Sequence, residues 1–564
     1  MNQHNANRPL RHAIYAICIL ASTVMMLARI ATVHSNSGRT PFLSANDRSR
    51  WSTIRALVDH RTFELDAIVF HEGKRDRDWY SIDMVRHQGR DGREHYYSSK
   101  PPLLTVALAA EYWLIRAVTG ASLADKPMYV GRIMLVLSNV VPLVGLLVLM
   151  ATIIERLGRS DWGRIIAVAA GCFATMLTTI SVTLTNHLPG AVGVGVSLYA
   201  FLRILDAPDE RRGRRWYCLA GIAAGFLVAN EFPALSLAGL LGAILAWHDW
   251  RRTLAWFTPP LAALLFLLLL CNYLAHDSWR PAYAHRGDGA RLLEVESRFE
   301  QLESGPAPAA MVQALNDGGL KVSPRTVVCP IDDQRWTLWD EATQSRYALR
   351  AAESGRTAVH VWDDWYRYEG TYWVPERLAG VDRGEPYWPR YLFHVLIGHH
   401  GVFSLTPLWL LVPAGSWLWN QYGTRGQRWL VRAHTVAALV CLAFYTIGRP
   451  TIDRNYGGVT SGFRWMYWFI PIWLLLIVPA LDWLADPAQV RNRDADDLRG
   501  TNANDDVEGQ QRTSVGRSRV RSWGKRVVLV AFAVSVFSAA YPIANPWVHP
   551  WIYAYWQHLG WIQE

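Results

Sequence analysis

The sequence predicts a mainly α-helical, polytopic membrane protein: a bundle of about eleven spanning helices with interfacial helices and a small α/β or β-rich insert. Three observations lead to this fold class. Of the 564 residues, 51% are hydrophobic and only 18% are charged, whereas average soluble domains carry about 25% charged residues. Tryptophan, which favours membrane interfaces, occurs 28 times. Long uncharged apolar runs recur along the whole chain.

Each predicted span is an apolar run close to the ~20 residues that cross a bilayer as a helix. The first, 13–28, follows Arg8 and Arg11. We expect a retained anchor there rather than a signal peptide, because its small-residue cleavage pattern is poor. The segment 216–247 is short for two spans and could instead be a re-entrant hairpin. The other predicted spans are 133–154, 165–186, 188–202, 216–230, 232–247, 253–275, 395–419, 433–448, 465–481 and 527–548.

Arginine-rich loops predict the orientation of these helices. With the N-terminus inside, the short inner loops are basic, as in 203–215 with its five arginines. The apolar segment 101–118 contains Glu111 and Arg116, and counting it as a span would turn 203–215 outward. We therefore predict an interfacial helix there. The expected location is the inner or plasma membrane of a cell, with a cytoplasmic N-terminus.

The same topology divides the chain into regions. Alternating polar and apolar residues, as in Arg335-Trp-Thr-Leu-Trp, predict short strands in the long outer insert. A stretch rich in Asp, Asn, Arg and Gly predicts a disordered inner linker. The predicted regions are a membrane module, 1–275, with the outer loop 34–127; the insert, 276–392; further membrane helices, 393–484; the linker, 485–526; and the last span and outer tail, 527–564.

Composition also argues against several classes of function. The net charge of +10 reflects basic loops that orient helices, so we expect no nucleic-acid partner. Five of the six cysteines lie in apolar runs, where cysteine behaves as a small hydrophobe. No disulfide framework and no zinc motif follow from their spacing.

Polar residues from six distant segments fall on the predicted outer face. Ionisable residues at membrane depth are costly to place, and so they are candidates for function. Their convergence predicts one outward cavity. The candidates are Asp47, Lys100, Asn186, His187, Glu231, His399, His400, Arg454 and Arg464, together with the glycine-rich run 457–462.

Each candidate also has a structural interpretation. Asp47 could cap a helix, and Lys100 could anchor the interfacial helix. The residues at the helix tips, Asn186, His187 and Glu231 among them, could simply end helices. The two histidines of Gly398-His-His-Gly could pack helices together, and the glycines could form a flexible turn.

Two motifs resemble those of the GT-C glycosyltransferases. Asp47-Arg-Ser-Arg-Trp resembles the acidic residue and following Arg-aromatic pair of the first outer loop in that superfamily. In this sequence Arg50 is the arginine of that pair. Ser99-Lys-Pro-Pro-Leu-Leu resembles the Lys-Pro-Pro motif that ends this loop. The group includes protein O-mannosyltransferases and the lipid A aminoarabinose transferase. The resemblance covers about residues 10–250 and implies Asp47 as the catalytic residue.

In that superfamily an acceptor hydroxyl attacks a sugar carried on a polyprenyl phosphate. The resemblance therefore implies a general base at Asp47 and cationic residues, Lys100 with Arg454 or Arg464, around the leaving phosphate. The histidines would hydrogen-bond the phosphate or the sugar, and Arg50 and Asn186 join the substrate-binding set. Many relatives carry a second acid where this chain has Asn186-His187, and Glu231 could substitute for it.

The expected partners are membrane lipid, a lipid-linked sugar donor and an acceptor that is a glycan, a lipid or a protein. No cofactor and no metal are expected, although Asp47 with Glu231 could hold a divalent ion through oxygen ligands. Two rival functions remain open. A transporter or flippase of lipid-linked substrates would place a polar passage at the midplane, and a non-catalytic scaffold could retain the transferase fold.

Overall fold

The computed structural model describes residues 7–206, 213–295, 303–351, 356–491 and 510–562. The chain forms two compact units, each assembled from separate stretches of sequence. Unit 1 contains Met1–Arg48, Val106–Leu268 and Leu378–Glu564, and unit 2 contains Ser49–Thr105 and Leu269–Arg377. The regional division predicted from the sequence stays a prediction.

Long apolar helices dominate the structure. Within the described residues, nine helical segments are long and apolar enough to cross a membrane, and the chain is an integral membrane protein. This confirms the predicted fold class. The segments are Arg8–Thr32, Pro102–Thr119, Pro127–Leu157, Asp161–Val182, His187–Leu205, Phe232–His276, Arg425–Thr446, Arg464–Ala485 and Val520–Ala540.

One of these segments, Phe232–His276, is 45 residues long and would measure about 68 Å if it were straight. It bends at Asp249, whose backbone is not helical (φ −154°, ψ 91°). The carboxylate of Asp249 accepts the N–H of Arg252 at 3.0 Å and so caps the following turn. Two predicted spans, 232–247 and 253–275, therefore correspond to two helices joined at this bend.

The region 395–419, predicted as one span, is not one continuous helix. Four short helices occupy this region instead of one. Gly398 and Gly401 interrupt the first part, and Pro407 forces the preceding Thr406 out of the helical region (φ −128°, ψ 76°). The four helices are Trp388–Leu396, Val402–Leu405, Pro407–Leu410 and Leu411–Tyr422.

Another predicted span, 165–186, is divided at Thr175, whose backbone is extended (φ −124°, ψ 149°), into the helices Asp161–Phe173, Met176–Thr179 and Ile180–Val182. The remaining predicted spans each contain a long helix. The predicted span 216–230 forms the helix Arg214–Asn230, with 17 residues. The segment 101–118 forms the helix Pro102–Thr119. Its interfacial placement stays a prediction, because its length and composition would also suit a span.

Polar side chains fasten helix ends to one another in unit 1. Ser160 caps the helix Asp161–Phe173 by accepting the N–H of Gly163 at 3.0 Å. Its hydroxyl also donates to Asp482, near the end of Arg464–Ala485, at 2.6 Å. The two helices therefore meet through a buried, fully engaged carboxylate.

Unit 2 contains the strands that the alternating pattern predicted. The strands are β1 Phe70–His71, β2 Lys74–Arg75, β3 Met84–Gln88, β4 Glu94–Ser98, β5 Arg286–Val295, β6 Gly305–Pro306, β7 Val327–Asp332, β8 Arg335–Asp340, β9 Ser345–Ala351 and β10 Thr357–Asp364. Six of them form one antiparallel sheet in the order β5-β10-β9-β8-β7-β6. Trp336 and Leu338 of β8 face a core that is closed by Met311 and Leu315 of the helix Ala309–Asp317. Two further hairpins pair β1 with β2 and β3 with β4.

The predicted linker 485–526 lies partly outside the described residues, at 492–509. Its last part belongs to the helix Gln510–Ala540, and the predicted disorder of the linker stays a prediction. The apolar end of that helix supplies the last span. The other short helices are Ala45–Arg55, Ala56–His60, Asp66–Val69, Ala282–Ala284, Gly380–Arg383, Thr451–Asp453, Pro487–Arg491 and Trp551–His558.

Candidate functional site

Asp47 lies in the first turn of the helix Ala45–Arg55, which follows the first span. Ser44 and Asp47 form a reciprocal capping box: the Ser44 hydroxyl accepts the N–H of Asp47 at 3.1 Å, and Oδ1 of Asp47 accepts the N–H of Ser44 at 2.8 Å. The structural interpretation of Asp47 as a helix cap therefore holds for Oδ1.

The second carboxylate oxygen has a different environment. Oδ2 accepts the N–H of Leu43 at 3.1 Å and the hydroxyl of Thr183 at 2.6 Å. The Thr183 hydroxyl in turn accepts Nε1–H of Trp547 at 3.2 Å. A short chain of hydrogen bonds thus runs from Asp47 through an alcohol to an indole.

The Asp47 side chain is completely buried. Burial raises the pKa of this carboxyl, because the charged form loses its hydration. The hydrogen bonds from Thr183, Ser44 and Leu43 oppose the rise, as does the positive charge of Arg48. The result is a carboxylate that is more basic than an exposed one and is already hydrogen-bonded to an alcohol.

Glu231 forms the second part of the site. Its Oε1 accepts Nδ1–H of His187 at 2.5 Å and the side-chain amide of Asn186 at 2.8 Å. A Cβ at Gly190 would lie 2.8 Å from Cγ of Glu231, so glycine is needed for this close approach. Asn186 and His187, from one predicted helix tip, therefore meet the carboxylate of Glu231 from another.

Arg464 continues this group on the other side of His187. Its guanidinium donates to Nε2 of His187 at 2.9 Å and to the carbonyl oxygen of Gly457 at 2.9 Å. Because arginine only donates, Nε2 accepts, and Nδ1 carries the proton that it donates to Glu231. Gly457 has a φ of +90°, which suits glycine.

Trp547 joins the two parts of the site. The guanidinium of Arg464 lies 5.2 Å from the centre of its ring, within the range of a cation–π interaction, while its Nε1–H contacts Thr183. We call the connected set the Asp47 network. It consists of Asp47, Thr183, Trp547, Arg464, His187, Glu231 and Asn186.

Two buried polar residues of the helical unit hold the Thr183 segment in place. Asn139 donates to the carbonyl oxygens of Ser181 and Thr183 at 2.8 and 2.9 Å. Arg29, at the end of the first span, donates to the carbonyl oxygens of Thr178, Thr179 and Ile543. The guanidinium therefore ties the segment before Thr183 to the segment before Trp547.

Three other candidates from the sequence lie elsewhere in unit 1. Arg454 donates to the carbonyl oxygens of Glu385 and Pro386. His399 and His400 are buried among aromatic rings, with His400 stacked on Tyr456 at 4.8 Å. Among contacts of the described residues, none joins Arg454, His399 or His400 directly to the Asp47 network.

Lys100 and Arg50 belong to unit 2. Nζ of Lys100 lies 3.0 Å from the carboxylate of Asp83. The backbone oxygen of Asp83 accepts the hydroxyls of Ser49 and Ser99 at 2.8 and 3.0 Å, and the Arg50 side chain is buried. The predicted convergence of Lys100 and Asp47 on one cavity stays a prediction.

Thr183 and Trp547 were not predicted as site residues. Both fall inside runs assigned as apolar spans, 165–186 and 527–548, where a threonine or a tryptophan is unremarkable in composition. Arg29 offered a better signal, because a charged residue at the end of an apolar run is costly unless it is paired. In the described part of the chain, no group of three or more His, Cys, Asp or Glu is placed to hold a metal ion.

No protein-family model and no curated protein sequence matches the chain. The archaeal oligosaccharyltransferase AglB from Archaeoglobus fulgidus, solved with an inhibitory peptide and a dolichol-phosphate, is 13% identical, with a TM-score of 0.41 over 96% of this chain. The chain covers only 57% of the length of that structure. The S. cerevisiae protein O-mannosyltransferase Pmt1-Pmt2 complex, bound to the sugar donor, is 12% identical, with a TM-score of 0.46 over 98% of this chain and 92% of its own.

At these identities the likeness concerns the fold alone. The chain is distantly similar in fold to these two solved structures.

Proposed function

We propose that this protein is a membrane glycosyltransferase that moves a sugar from a polyprenyl-phosphate donor to an acceptor hydroxyl on the outer side of the membrane. Asp47 is the general base of the proposed reaction. The acceptor is a glycan, a lipid or a protein. The proposed orientation places the N-terminus in the cytoplasm of the cell and the Asp47 network near the opposite surface.

The observation that carries this proposal is the contact between Asp47 and Thr183. An alcohol O–H donates to Oδ2, with the two oxygen atoms 2.6 Å apart, which is within the heavy-atom distance over which a general base accepts a proton. In the proposed reaction, the acceptor hydroxyl replaces the Thr183 hydroxyl at Oδ2. Because burial raises the pKa of Asp47, its carboxylate accepts that proton more readily than an exposed aspartate would.

The bond changes then balance within the two substrates. The acceptor oxygen attacks the anomeric carbon of the donor and gives its proton to Oδ2 of Asp47. The bond between that carbon and the phosphate oxygen breaks, and polyprenyl phosphate leaves with the electron pair. The proton on Asp47 then passes to the departing polyprenyl phosphate, which regenerates the carboxylate. No oxidant or further reactant is required.

Arg464 is the proposed partner of the leaving phosphate. A charge-assisted hydrogen bond from a guanidinium stabilises the negative charge that develops on the departing oxygen. His187 and the ring of Trp547 hold the guanidinium in place, at 2.9 and 5.2 Å respectively.

The test is sugar transfer in proteoliposomes from a polyprenyl-phosphate sugar labelled in the sugar. We compare the wild type with Asp47→Asn, and with Asp482→Asn as a matched control. Asp482 is also a buried carboxylate held by backbone N–H groups and a serine hydroxyl, but it lies near the start of the helix Asp161–Phe173, away from the Asp47 network. We expect the label in an acceptor with wild type and Asp482→Asn, and at least a hundredfold less of it with Asp47→Asn.

Two results would contradict the proposal. Transfer from a nucleotide sugar but from no polyprenyl donor would show that the donor class is wrong. Passage of the intact lipid-linked sugar across the bilayer, with its glycosidic bond unbroken, would identify a transporter instead.

A further inference from the structure

A large groove opens among three helices of unit 1: Arg8–Thr32, the Val141–Leu157 part of Pro127–Leu157, and His187–Leu205. Its volume is about 970 Å³. It lies beside the beginning of the first span, whereas Asp47 follows the end of that span. The groove is therefore separate from the Asp47 network.

The polar end of the groove has an ordered floor. Arg11 forms ion pairs with Glu155 and Asp161, both at 2.6 Å, and the Tyr15 hydroxyl donates to Glu155 at 2.8 Å. Arg164 lies 3.8 Å from both carboxylates. The negative charge at this end is thus already neutralised by Arg11 and Arg164.

The rim carries additional positive charge. Arg8 and Arg156 are exposed and Arg203 is half-buried, and all three line the groove. Among the described residues, none of the three has a carboxylate partner. Arg203 is held beside the ring of Trp216, with its guanidinium 5.2 Å from the ring centre. Three cations at one end of an apolar groove favour an anionic occupant.

The walls beyond the arginines are apolar. They include Ile19, Leu20, Val144 and Val148, and the side chains of Leu20 and Val148 are 64% and 51% exposed. Ligand pockets commonly measure about 300–1,000 Å³, so this groove has room for a headgroup and part of a hydrocarbon chain. Basic pockets between spanning helices bind the phosphates of anionic lipids.

We propose that this groove binds an anionic phospholipid of the surrounding membrane, with its phosphate at Arg8, Arg156 and Arg203 and an acyl chain along Leu20 and Val148. The positive charge of the rim favours a phosphate, and the apolar walls favour a hydrocarbon chain. Together they select a molecule that has both. The site does not depend on the proposed transferase activity.

The test is native mass spectrometry of the purified full-length protein, delipidated and titrated with phosphatidylglycerol or phosphatidylcholine. We expect one saturable phosphatidylglycerol site in the wild type. In Arg156→Gln/Arg203→Gln the affinity should fall about thirtyfold, because each arginine near an anionic lipid contributes about fivefold. The matched control is Arg425→Gln/Arg428→Gln, which removes two exposed arginines from a helix whose first turn contacts Asp206, at the same end of the helices but outside the groove.

A second variant tests the chain-binding walls without changing any charge. Val148→Trp fills the apolar part of the groove at an exposed position and should also abolish the saturable site. Normal binding by Val148→Trp, or an equal loss in the Arg425/Arg428 control, would overturn the proposal. So would displacement of phosphatidylglycerol by phosphatidylcholine or by inorganic phosphate at equal concentration. Tighter binding of a polyprenyl phosphate than of phosphatidylglycerol would also overturn the proposal, because the preferred occupant of the groove would then be the donor lipid and not a phospholipid.

Discussion

Replacing Asp47 with asparagine should separate its catalytic contribution from its structural one. The carboxylate accepts two hydrogen bonds at Oδ1 from Ser44 and two at Oδ2 from Leu43 and Thr183. An asparagine can keep its oxygen toward Ser44 and place its amide nitrogen at the Oδ2 position. The Thr183 hydroxyl can rotate to accept from that amide, but the N–H of Leu43 loses its acceptor.

One buried N–H without an acceptor costs about 1–3 kcal/mol of folding free energy. Removal of a general base costs about 10²–10⁴-fold in rate. We therefore expect Asp47→Asn to insert and fold, with a modest fall in its thermal midpoint, while sugar transfer falls by at least a hundredfold. The two readouts are thermal unfolding in detergent, followed by tryptophan fluorescence, and transfer from a polyprenyl-phosphate donor.

Ser44→Ala is the control for the capping role. It removes the hydroxyl that bonds to Asp47, at a cost of about 1 kcal/mol, but leaves Oδ2 and Thr183 untouched. Its transfer rate should stay within a few-fold of the wild type. If Ser44→Ala lost as much transfer as Asp47→Asn, the defect would arise from the helix start, and the assignment of Asp47 as the base would be wrong.

Three further predictions address other parts of the molecule. Glu231→Gln removes a charged acceptor of two hydrogen bonds, each contributing about 1.5–3 kcal/mol, so both the thermal midpoint and transfer should fall; unchanged values would leave Glu231 without a role. Gly415→Ala would place Cβ 1.7 Å from the carbonyl oxygen of Leu476 and should destabilise the protein by about 1–3 kcal/mol in thermal unfolding. The control is Gly145→Ala, whose Cβ would have no atom within 4 Å and which should not destabilise the protein. Equal stability of the two variants would refute this packing. Only the ionised form of Asp47 accepts a proton, and burial raises its pKa. As the pH is lowered, transfer should therefore begin to fall at a higher pH than the one at which an ordinary aspartate titrates. A pH–rate profile without that fall would exclude Asp47 as the titrating base.

Much of the fold could be predicted from the sequence, because long apolar runs and alternating strands are local signals. The broken region 388–422 could not, since its composition is as apolar as that of a span. The positions of Gly398, Gly401 and Pro407 decide its conformation. A hydropathy average does not detect such effects on the backbone.

The site was predictable only in part. His187, Glu231 and Arg464 stood out as ionisable residues near helix ends, and the structure brings them together. Thr183 and Trp547 are separated by 364 residues and carry no charge. Their pairing depends on how the last span packs against the third, which no local pattern encodes.

The buried guanidinium of Arg29 has a consequence for how the chain is made. Two of its carbonyl partners, Thr178 and Thr179, emerge early in synthesis, but the third, Ile543, is translated hundreds of residues later. Until the last segment inserts, Nε of Arg29 lacks its acceptor and Thr183 lacks the indole of Trp547. A nascent chain that stopped before Ile543 would contain every residue singled out from the sequence, yet its Asp47 network would be incomplete. Completion of the Asp47 network therefore coincides with insertion of the final span.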